Sequence, residues 1–191
     1  MRRLPILMIQ LLTLAALGCS PEPGPAEKIA RDFYLGGIQV HEEDLSAWYD
    51  HLLARGMNTV HVTDYALQGE WDSDDLSWEG PPKRALAEIR GAKERGLSVI
   101  LVLRVQLDAS VDRNAFLWHG MIMPGSPERI DSWFEKYRRY CLEWAQIAER
   151  EGIEMVILGN ELNALASTLE VSGATSLERY FLSDDAQDRR R

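Results

Sequence analysis

Apolar positions along this chain alternate between two periods. Four short segments rich in apolar and β-branched residues are typical of strands in a covered parallel sheet. Between them, apolar residues recur at helical spacing in three longer segments, which begin at Glu43, Lys83 and Ser126. The predicted strands are residues 34–40, 58–65, 97–107 and 155–158. Regular alternation of strand and helix predicts an α/β fold with parallel strands.

The connections between these elements differ at the two ends of the predicted sheet. Each helix leads into the next strand through a short turn at Gly56, Gly96 or Gly152. The connections in the other direction, residues 66–82 and 108–125, are long and rich in Trp, His, Asp and Met. Because only the carboxyl edge is elaborated, we predict a partial (β/α)8 TIM barrel of about four βα units. An open doubly wound sheet is the alternative, although no glycine-rich phosphate loop follows the first strand.

The fourth predicted strand ends in Gly159-Asn160-Glu161, which places two polar side chains at the carboxyl edge of the sheet. A carboxyl group in a partly dry pocket there can have a raised pKa and donate a proton to a leaving oxygen. Asn160 beside it could hydrogen-bond a sugar hydroxyl. A solvated loop that caps the next helix is the plainer interpretation, and this tripeptide alone does not separate the two.

Three segments together resemble one enzyme family. Gly159-Asn160-Glu161-Leu162 is similar to the acid/base motif that closes strand four of the retaining (β/α)8 glycoside hydrolases. The loop of residues 118–124 and the helix that carries Trp133 and Tyr137 are similar to those of the family 113 glycoside hydrolases, which are β-mannanase-like. The resemblance covers residues 34–165 in matching order.

This resemblance implies roles for individual residues. Glu161 would be the general acid/base, Asn160 a ligand of the sugar 2-hydroxyl, and Trp118 a platform on which a pyranose stacks. Arg104 stands at the end of strand three, where the family usually has a His, and is a further candidate ligand. The nucleophilic Glu of the family lies on strand seven, for which this chain is expected to have no position.

Further substrate-binding candidates are placed by the strand ends and loops. Asp64 and Tyr65 end the second predicted strand and are expected to point toward the site, and His119 follows Trp118. Each has a structural alternative, because Asp caps turns, a loop His bonds local backbone groups and a Trp can pack a loop onto the domain. No cofactor and no metal site are expected, since no spacing of His, Cys and carboxylates matches one.

Composition narrows the range of partners. The chain has 30 acidic and 21 basic residues, a net charge of −9, and no basic stripe outside its two ends, which argues against nucleic acid as a partner. An oligo- or polysaccharide is the expected partner. Of the two cysteines, Cys141 lies on the apolar stripe of the third helix and is predicted to be a buried free thiol.

The amino-terminal segment resembles a bacterial lipoprotein signal. Arg2 and Arg3 precede an apolar run too short to span a bilayer, and small residues precede Cys19. Cys19 is therefore expected to carry lipid after export across the inner membrane and to anchor the protein in the cell envelope; an ordinary secretory signal is the alternative. The predicted divisions are a signal peptide at residues 1–18, a Pro-rich linker at 19–30, the N-terminal half of a barrel-type glycosidase-like domain at 31–165, and a divergent or truncated tail at 166–191.

Three functions are compatible with these patterns. The first is a glycoside hydrolase acting on β-linked, β-mannan-like polysaccharide, with Glu161 as acid/base and with weak or no activity by itself because the nucleophile is missing. The others are a surface lipoprotein that binds polysaccharide without cleaving it, and an unrelated α/β binding domain. In each case, four parallel strands would leave two open sheet edges, so self-association is expected.

Overall fold

The computed structural model describes residues 24–38 and 43–166. Its helices are α1 (Leu45–Ala54), α2 (Lys83–Glu94) and α3 (Pro127–Arg150). Its strands are β1 (Gly36–Ile38), β2 (Thr59–Gln68), β3 (Leu76–Ser77), β4 (Ser98–Leu107) and β5 (Met155–Ile157). Cys19, the predicted signal and the tail from residue 167 onward lie outside the described residues. No helix in the described part is both long and apolar enough to cross a membrane.

Strands β1, β2, β4 and β5 lie side by side in chain order, and each pairs in parallel with the next. Sequential order without a reversal matches a barrel wall, whereas a doubly wound sheet reverses its strand order at a switch point. One helix connects each pair of neighbouring parallel strands. The predicted α/β fold, with parallel strands alternating with helices, is therefore confirmed.

Side chains alternate between two faces along each strand. Val60 and Val62 of β2 face the helices and form a core with Leu101 and Leu103 of β4. The opposite face, which we call the inner face, has no helix layer over it in the described part of the chain. Its residues are Ile38, His61, Thr63, Tyr65, Leu67, Ile100, Val102, Arg104, Gln106, Met155 and Ile157.

Strand β2 is longer than predicted. It continues to Gln68, and its last two residues pair with the antiparallel β3, inside the segment 66–82 that the sequence predicts to be loop. The buried Gln68 amide donates to Glu70 O (2.7 Å) and Ser73 O (3.0 Å), and its oxygen accepts from Trp133 Nε1 (2.8 Å). A polar residue whose hydrogen bonds are satisfied can continue a buried strand, and an apolar pattern does not reveal it.

The predicted burial of segment 155–158 is wrong. Met155 and Leu158 are exposed, with fractional exposures of 43% and 57%. β5 is an outer strand of the described sheet, so its free edge and its inner face meet solvent. An apolar segment stays exposed at this margin because nothing in the described part of the chain packs on that side.

Helix α3 begins where the sequence predicts. The Ser126 hydroxyl accepts from the Arg129 N–H (3.3 Å), and Pro127 occupies the first helical position. Cys141, predicted to be buried on this helix, is a half-buried free thiol, and burial raises its pKa. A raised pKa disfavours the thiolate, which is the reactive form of a cysteine.

Candidate active site

Glu161 lies four residues beyond β5, in a turn with unusual backbone geometry. Gly159 has φ 68° and Glu161 has φ 56°, a left-handed region that is unfavourable for a residue with a Cβ. The Gly159 N–H donates to the Tyr137 hydroxyl of α3 (2.8 Å), and Leu162 is buried in the core. The turn is thus held on both sides of Glu161. A left-handed non-glycine residue costs on the order of 1 kcal/mol or more, and such strain is typical of functional sites.

Two basic side chains meet the Glu161 carboxylate. Arg104, near the end of β4, donates from Nη2 to Glu161 Oε2, and His119 Nε2 lies within hydrogen-bond distance of the same oxygen. Arg104 Nη2 and His119 Nε2 are 3.3 Å apart. We call these three residues the Glu161 cluster. They come from β4, from the β4–α3 connection and from the turn after β5, so only the folded chain brings them together.

The basic neighbours set the protonation state of Glu161. The hydrogen bond with His119 and the Arg104 guanidinium hold the pKa of Glu161 below its usual value. The expected raised pKa is therefore wrong, because the side chain is 43% exposed and its burial does not outweigh two basic partners. Glu161 is a carboxylate at neutral pH in this arrangement.

Trp118 lies beside the cluster on the β4–α3 connection. Its indole is 42% exposed and meets the His119 ring edge-on, with ring centroids 5.2 Å apart. The indole also lies across Gly120, where an added Cβ would be only 2.3 Å from the ring. The Gly120 carbonyl accepts from the Ala164 N–H (3.0 Å), which ties this loop to the turn after Glu161. Glycine at 120 therefore permits the position of the indole.

Tyr65 lies beside Arg104 on the inner face. The two residues are register partners between β2 and β4, and the guanidinium carbon of Arg104 lies 6.0 Å from the Tyr65 ring centroid. Tyr65 is exposed, so its ring and hydroxyl are accessible on the face that carries Arg104. Arg104 Nε is buried without a hydrogen-bond partner among the described residues.

Asp64 and Asn160 complete the predicted site residues. Asp64 lies on the helix side of β2, where its Oδ2 accepts from Tyr140 Oη (2.8 Å) and Trp144 Nε1 (2.7 Å), and burial raises its pKa. Its predicted orientation toward the site is wrong, because neighbouring residues of a strand point to opposite faces and Tyr65 takes the inner one. Asn160 is half-buried next to Glu161, and its role as a sugar ligand stays a prediction.

Sequence reasoning missed two supporting residues, Gly120 under Trp118 and Tyr137 under Gly159. Tyr137 could have been found as a residue with a polar tip in an apolar helical stripe, since a buried hydroxyl needs a partner. The contact between Gly120 and the indole has no comparable signal. In the described part of the chain, no group of three or more His, Cys, Asp or Glu side chains is placed to hold a metal ion.

Parallel strands in chain order, with a helix between each neighbouring pair, are typical of α/β-barrel enzymes, whose active sites lie at the carboxyl ends of the strands, where Glu161 is found. The profile of Glycoside Hydrolase Family 113 matches residues 28–170. The chain therefore belongs to this family and is a glycoside hydrolase by lineage. The predicted resemblance is confirmed, and an unrelated α/β binding domain is excluded.

Three solved structures of this family match part of the chain. The GH113 β-mannanase AaManA from Alicyclobacillus acidocaldarius, in complex with ManMIm, is 23% identical with a TM-score of 0.49, and the match covers 60% of this chain and 38% of that one. Two GH113 β-1,4-mannanase structures, one of them a complex, are each 26% identical with a TM-score of 0.48 and cover 64% of this chain and 43% of theirs. The chain thus spans 38–43% of the length of these relatives. No curated protein matches it at a significant level.

Proposed function

We propose that this chain carries the acid/base half of a retaining glycoside hydrolase site for β-linked, β-mannan-like polysaccharide, with Glu161 as general acid/base. The Glu161 cluster carries the proposal: a carboxylate on strained backbone, bound to Arg104 and His119, in a chain of Glycoside Hydrolase Family 113. The mannan type of substrate rests on the resemblance of the sequence to that β-mannanase-like family.

A retaining glycosidase uses its acid/base group twice. The group first gives a proton to the leaving oxygen, and later takes one from the attacking water. Because His119 and Arg104 keep Glu161 ionised in the open site, Glu161 is ready for the second of these steps. The first step needs a protonated carboxyl group, and a bound glycan would favour that form by removing water from Glu161.

The mechanism also needs a second carboxylate, roughly 5 to 5.5 Å from the first. Asp64 is the sole acidic residue in the four parallel strands described, and it faces the helices. In the connection after β2, Glu70 and Asp72 are already paired with Arg113. We expect the second carboxylate to lie outside the described residues, and we expect weak or no turnover without it.

The surface beside the cluster offers groups that a pyranose needs. Trp118 lies across Gly120 with part of its indole exposed, which suits stacking on the C–H face of a sugar. Asn160, Tyr65 and Arg104 would supply hydrogen bonds to hydroxyl groups. A neutral glycan is favoured over an anionic one by the net charge of −9.

The test compares wild type with Glu161→Gln on two substrates. Any residual hydrolysis of a β-linked mannohexaose by wild type requires protonation of a poor leaving group and is expected to fall about 10²- to 10⁴-fold in Glu161→Gln. An aryl β-mannoside with a good leaving group needs no acid in the first step, so any residual turnover of it should fall much less. Glu135→Gln, which removes an exposed carboxylate paired with Arg138 on α3, is the matched control. Undiminished hydrolysis of mannohexaose by Glu161→Gln would refute the proposal.

A carbohydrate-binding protein without catalysis is the second candidate. The observation that favours it is that the inner face of the described strands carries no acidic residue. Wild type that binds mannohexaose in calorimetry and shows no turnover that Glu161→Gln lowers would support this candidate. Binding that survives Glu161→Gln but not Trp118→Ala would assign the affinity to the indole rather than to the carboxylate.

We also propose that the protein is exported across the inner membrane and held in the cell envelope, on its periplasmic or outer face, by lipid on Cys19. The support is the resemblance of the N-terminal segment to a lipoprotein signal. In cells fed labelled palmitate, Cys19→Ser should lose the label. Cys141→Ser, at the half-buried thiol of α3, should keep it. A label that persists in Cys19→Ser would argue against the anchor.

A further inference from the structure

Phe116 lies in the connection between β4 and α3 and is fully exposed, with a fractional exposure of 104%. Its backbone has φ 66°, in the left-handed region where a bulky residue is strained. An aromatic ring in water is also unfavourable. Neither the strain nor the exposure stabilises the fold, so both features point to a role in binding.

The residues around Phe116 hold its backbone in place. Asn114 is buried, its Nδ2 donates to Gly69 O (2.7 Å), and its Oδ1 accepts from the Trp71 N–H (3.1 Å). The Leu117 N–H donates to Asn114 O (2.9 Å), and the Leu117 side chain packs against the core. The backbone is thus attached to the domain on both sides of the exposed ring. A ring presented in this way loses little conformational entropy when a ligand binds.

Phe116 also lies on the same loop as the exposed Trp118. Their Cα atoms are at most about 7 Å apart, because they are two positions apart in the chain. Trp118 meets the His119 ring edge-on, and His119 contacts Glu161. The order Phe116, Trp118, His119 therefore leads along the loop toward the carboxylate.

We propose that Phe116 is a second sugar platform, which binds a further pyranose unit of a long, neutral β-linked glycan next to the unit on Trp118. Its exposed aromatic face suits the C–H face of a pyranose. Arg113, a cation on the same loop, is already paired with Glu70 and Asp72, so it would not select an anionic sugar. The inference rests on the proposed function, because it extends the same binding site.

Calorimetry on the full chain, with β-linked manno-oligosaccharides of two and six sugar units, tests this inference. Phe116→Ala is expected to weaken binding of the six-unit glycan about 3- to 10-fold and to leave the two-unit glycan unaffected, since only the longer glycan reaches Phe116. Phe116→Tyr keeps the aromatic face and should bind as wild type does. Phe134→Ala, which removes an exposed ring from α3, is the matched control.

Phe116→Gly separates binding from folding. Glycine adopts φ 66° without strain, so Phe116→Gly is expected to be at least as stable to urea as Phe116→Ala. Both variants lack the ring and should bind the six-unit glycan equally weakly. If the less stable of the two variants bound the six-unit glycan more weakly, although both lack the ring, the loss of affinity would come from the fold, and the inference would be overturned.

The remaining outcomes separate this inference from the function on which it rests. Wild-type affinity for the six-unit glycan in Phe116→Ala, while Trp118→Ala weakens binding of both glycans, would overturn the platform at Phe116 and leave the proposed function standing. An equal loss for both glycans in Phe116→Ala would overturn it as well, because the effect would then lie at Trp118. Failure of wild type to bind either glycan would overturn both proposals.

Discussion

Glu161 combines strained backbone with two basic partners. Its positive φ persists because the Tyr137 hydroxyl accepts from the turn on one side and Leu162 is buried on the other. His119 and Arg104 keep its carboxyl group ionised. A local motif points to Glu161 as the candidate acid/base, whereas its protonation state depends on side chains that are distant in the chain.

Replacement of His119 by Ala is expected to raise the pKa of Glu161 toward its usual value, because the hydrogen bond with His119 is the main cause of the lowered pKa. The pKa should stay below that value, since Arg104 remains. The carboxyl carbon of Glu161 can be followed by ¹³C NMR through an acid titration. Glu128, whose lowered pKa comes from hydrogen bonds at the start of α3, should be unchanged and serves as internal control. An unaltered pKa of Glu161 would contradict the hydrogen bond between His119 and Glu161.

His119→Ala is also expected to change how the free energy of unfolding depends on pH. A carboxyl group whose folded pKa lies below its unfolded pKa stabilises the fold above the unfolded value, and this contribution is lost as the pH falls through the folded value. Urea titrations should therefore show the stability difference between wild type and His119→Ala shrinking in acid. The difference is expected to be small at every pH, because Glu161 is 43% exposed and solvent screens its charge.

Gly120→Ala is expected to displace the Trp118 indole. The new Cβ would lie 2.3 Å from the ring, so the ring must move. Calorimetry with mannohexaose should show affinity falling about as far as in Trp118→Ala, with little loss of stability. Gly125→Ala, in the same connection, is the control because its added Cβ finds no neighbour nearer than 3.6 Å. If Gly120→Ala bound mannohexaose with an affinity close to that of wild type, the position of the Trp118 indole would not determine glycan binding.

At the scale of the elements, α3 is attached to the sheet by buried polar contacts as well as by apolar packing. Trp133 Nε1 donates to Gln68 of β2, and Tyr140 and Trp144 both donate to Asp64 Oδ2. These aromatic residues bury large apolar rings, and their polar atoms require partners once they are inside. Asp64 therefore positions a helix instead of binding substrate.

Asp64→Ala is expected to lower the free energy of unfolding by about 3 kcal/mol, because two buried donors lose their acceptor. Asp64→Asn should cost about 1 kcal/mol or less, since one amide oxygen can still accept from both Tyr140 and Trp144. Urea unfolding followed by tryptophan fluorescence measures both. Equal losses in the two variants would show that the shared acceptor is not what matters at this position.

Most of the elements could be predicted from the sequence because the signals that define them are local. Gly56, Gly96 and Gly152 follow the three helices and all have positive φ, as their place after a helix requires. The two-residue strand β3 could not be predicted, because it exists only by pairing with the end of β2. The predicted burial of residues 155–158 is wrong for a similar reason, since burial depends on what packs against a strand.

At the scale of the whole molecule, the described sheet has one covered face and one open face. The inner face exposes Ile38, Leu67 and Met155, and β1 and β5 are its outer strands. Exposed apolar surface next to an unpaired strand edge favours association with another chain.

If the protein self-associates through the inner face and the edge of β5, Met155→Lys is expected to weaken that association. Sedimentation of wild type at several concentrations is expected to show association, and a charge on the inner face of β5 should shift the protein toward the monomer. Leu142→Lys, at an exposed position on α3, is the control and should associate as wild type does. Association that is unchanged in Met155→Lys would exclude this part of the sheet as the contact.

Local pattern was sufficient for the fold class, because strand and helix periods and turn glycines are contained in neighbouring residues. The choice of Glu161 as acid/base, by contrast, rests on the resemblance to a family motif and stays a prediction. The tertiary structure decided which face each side chain takes and which residues meet. Asp64 and Tyr65 are adjacent, yet one lies among helices and the other on the inner face, since a shift of one residue along a strand reverses its face. Glu161 meets residues 57 and 42 positions away in the chain, and no local period encodes such a contact.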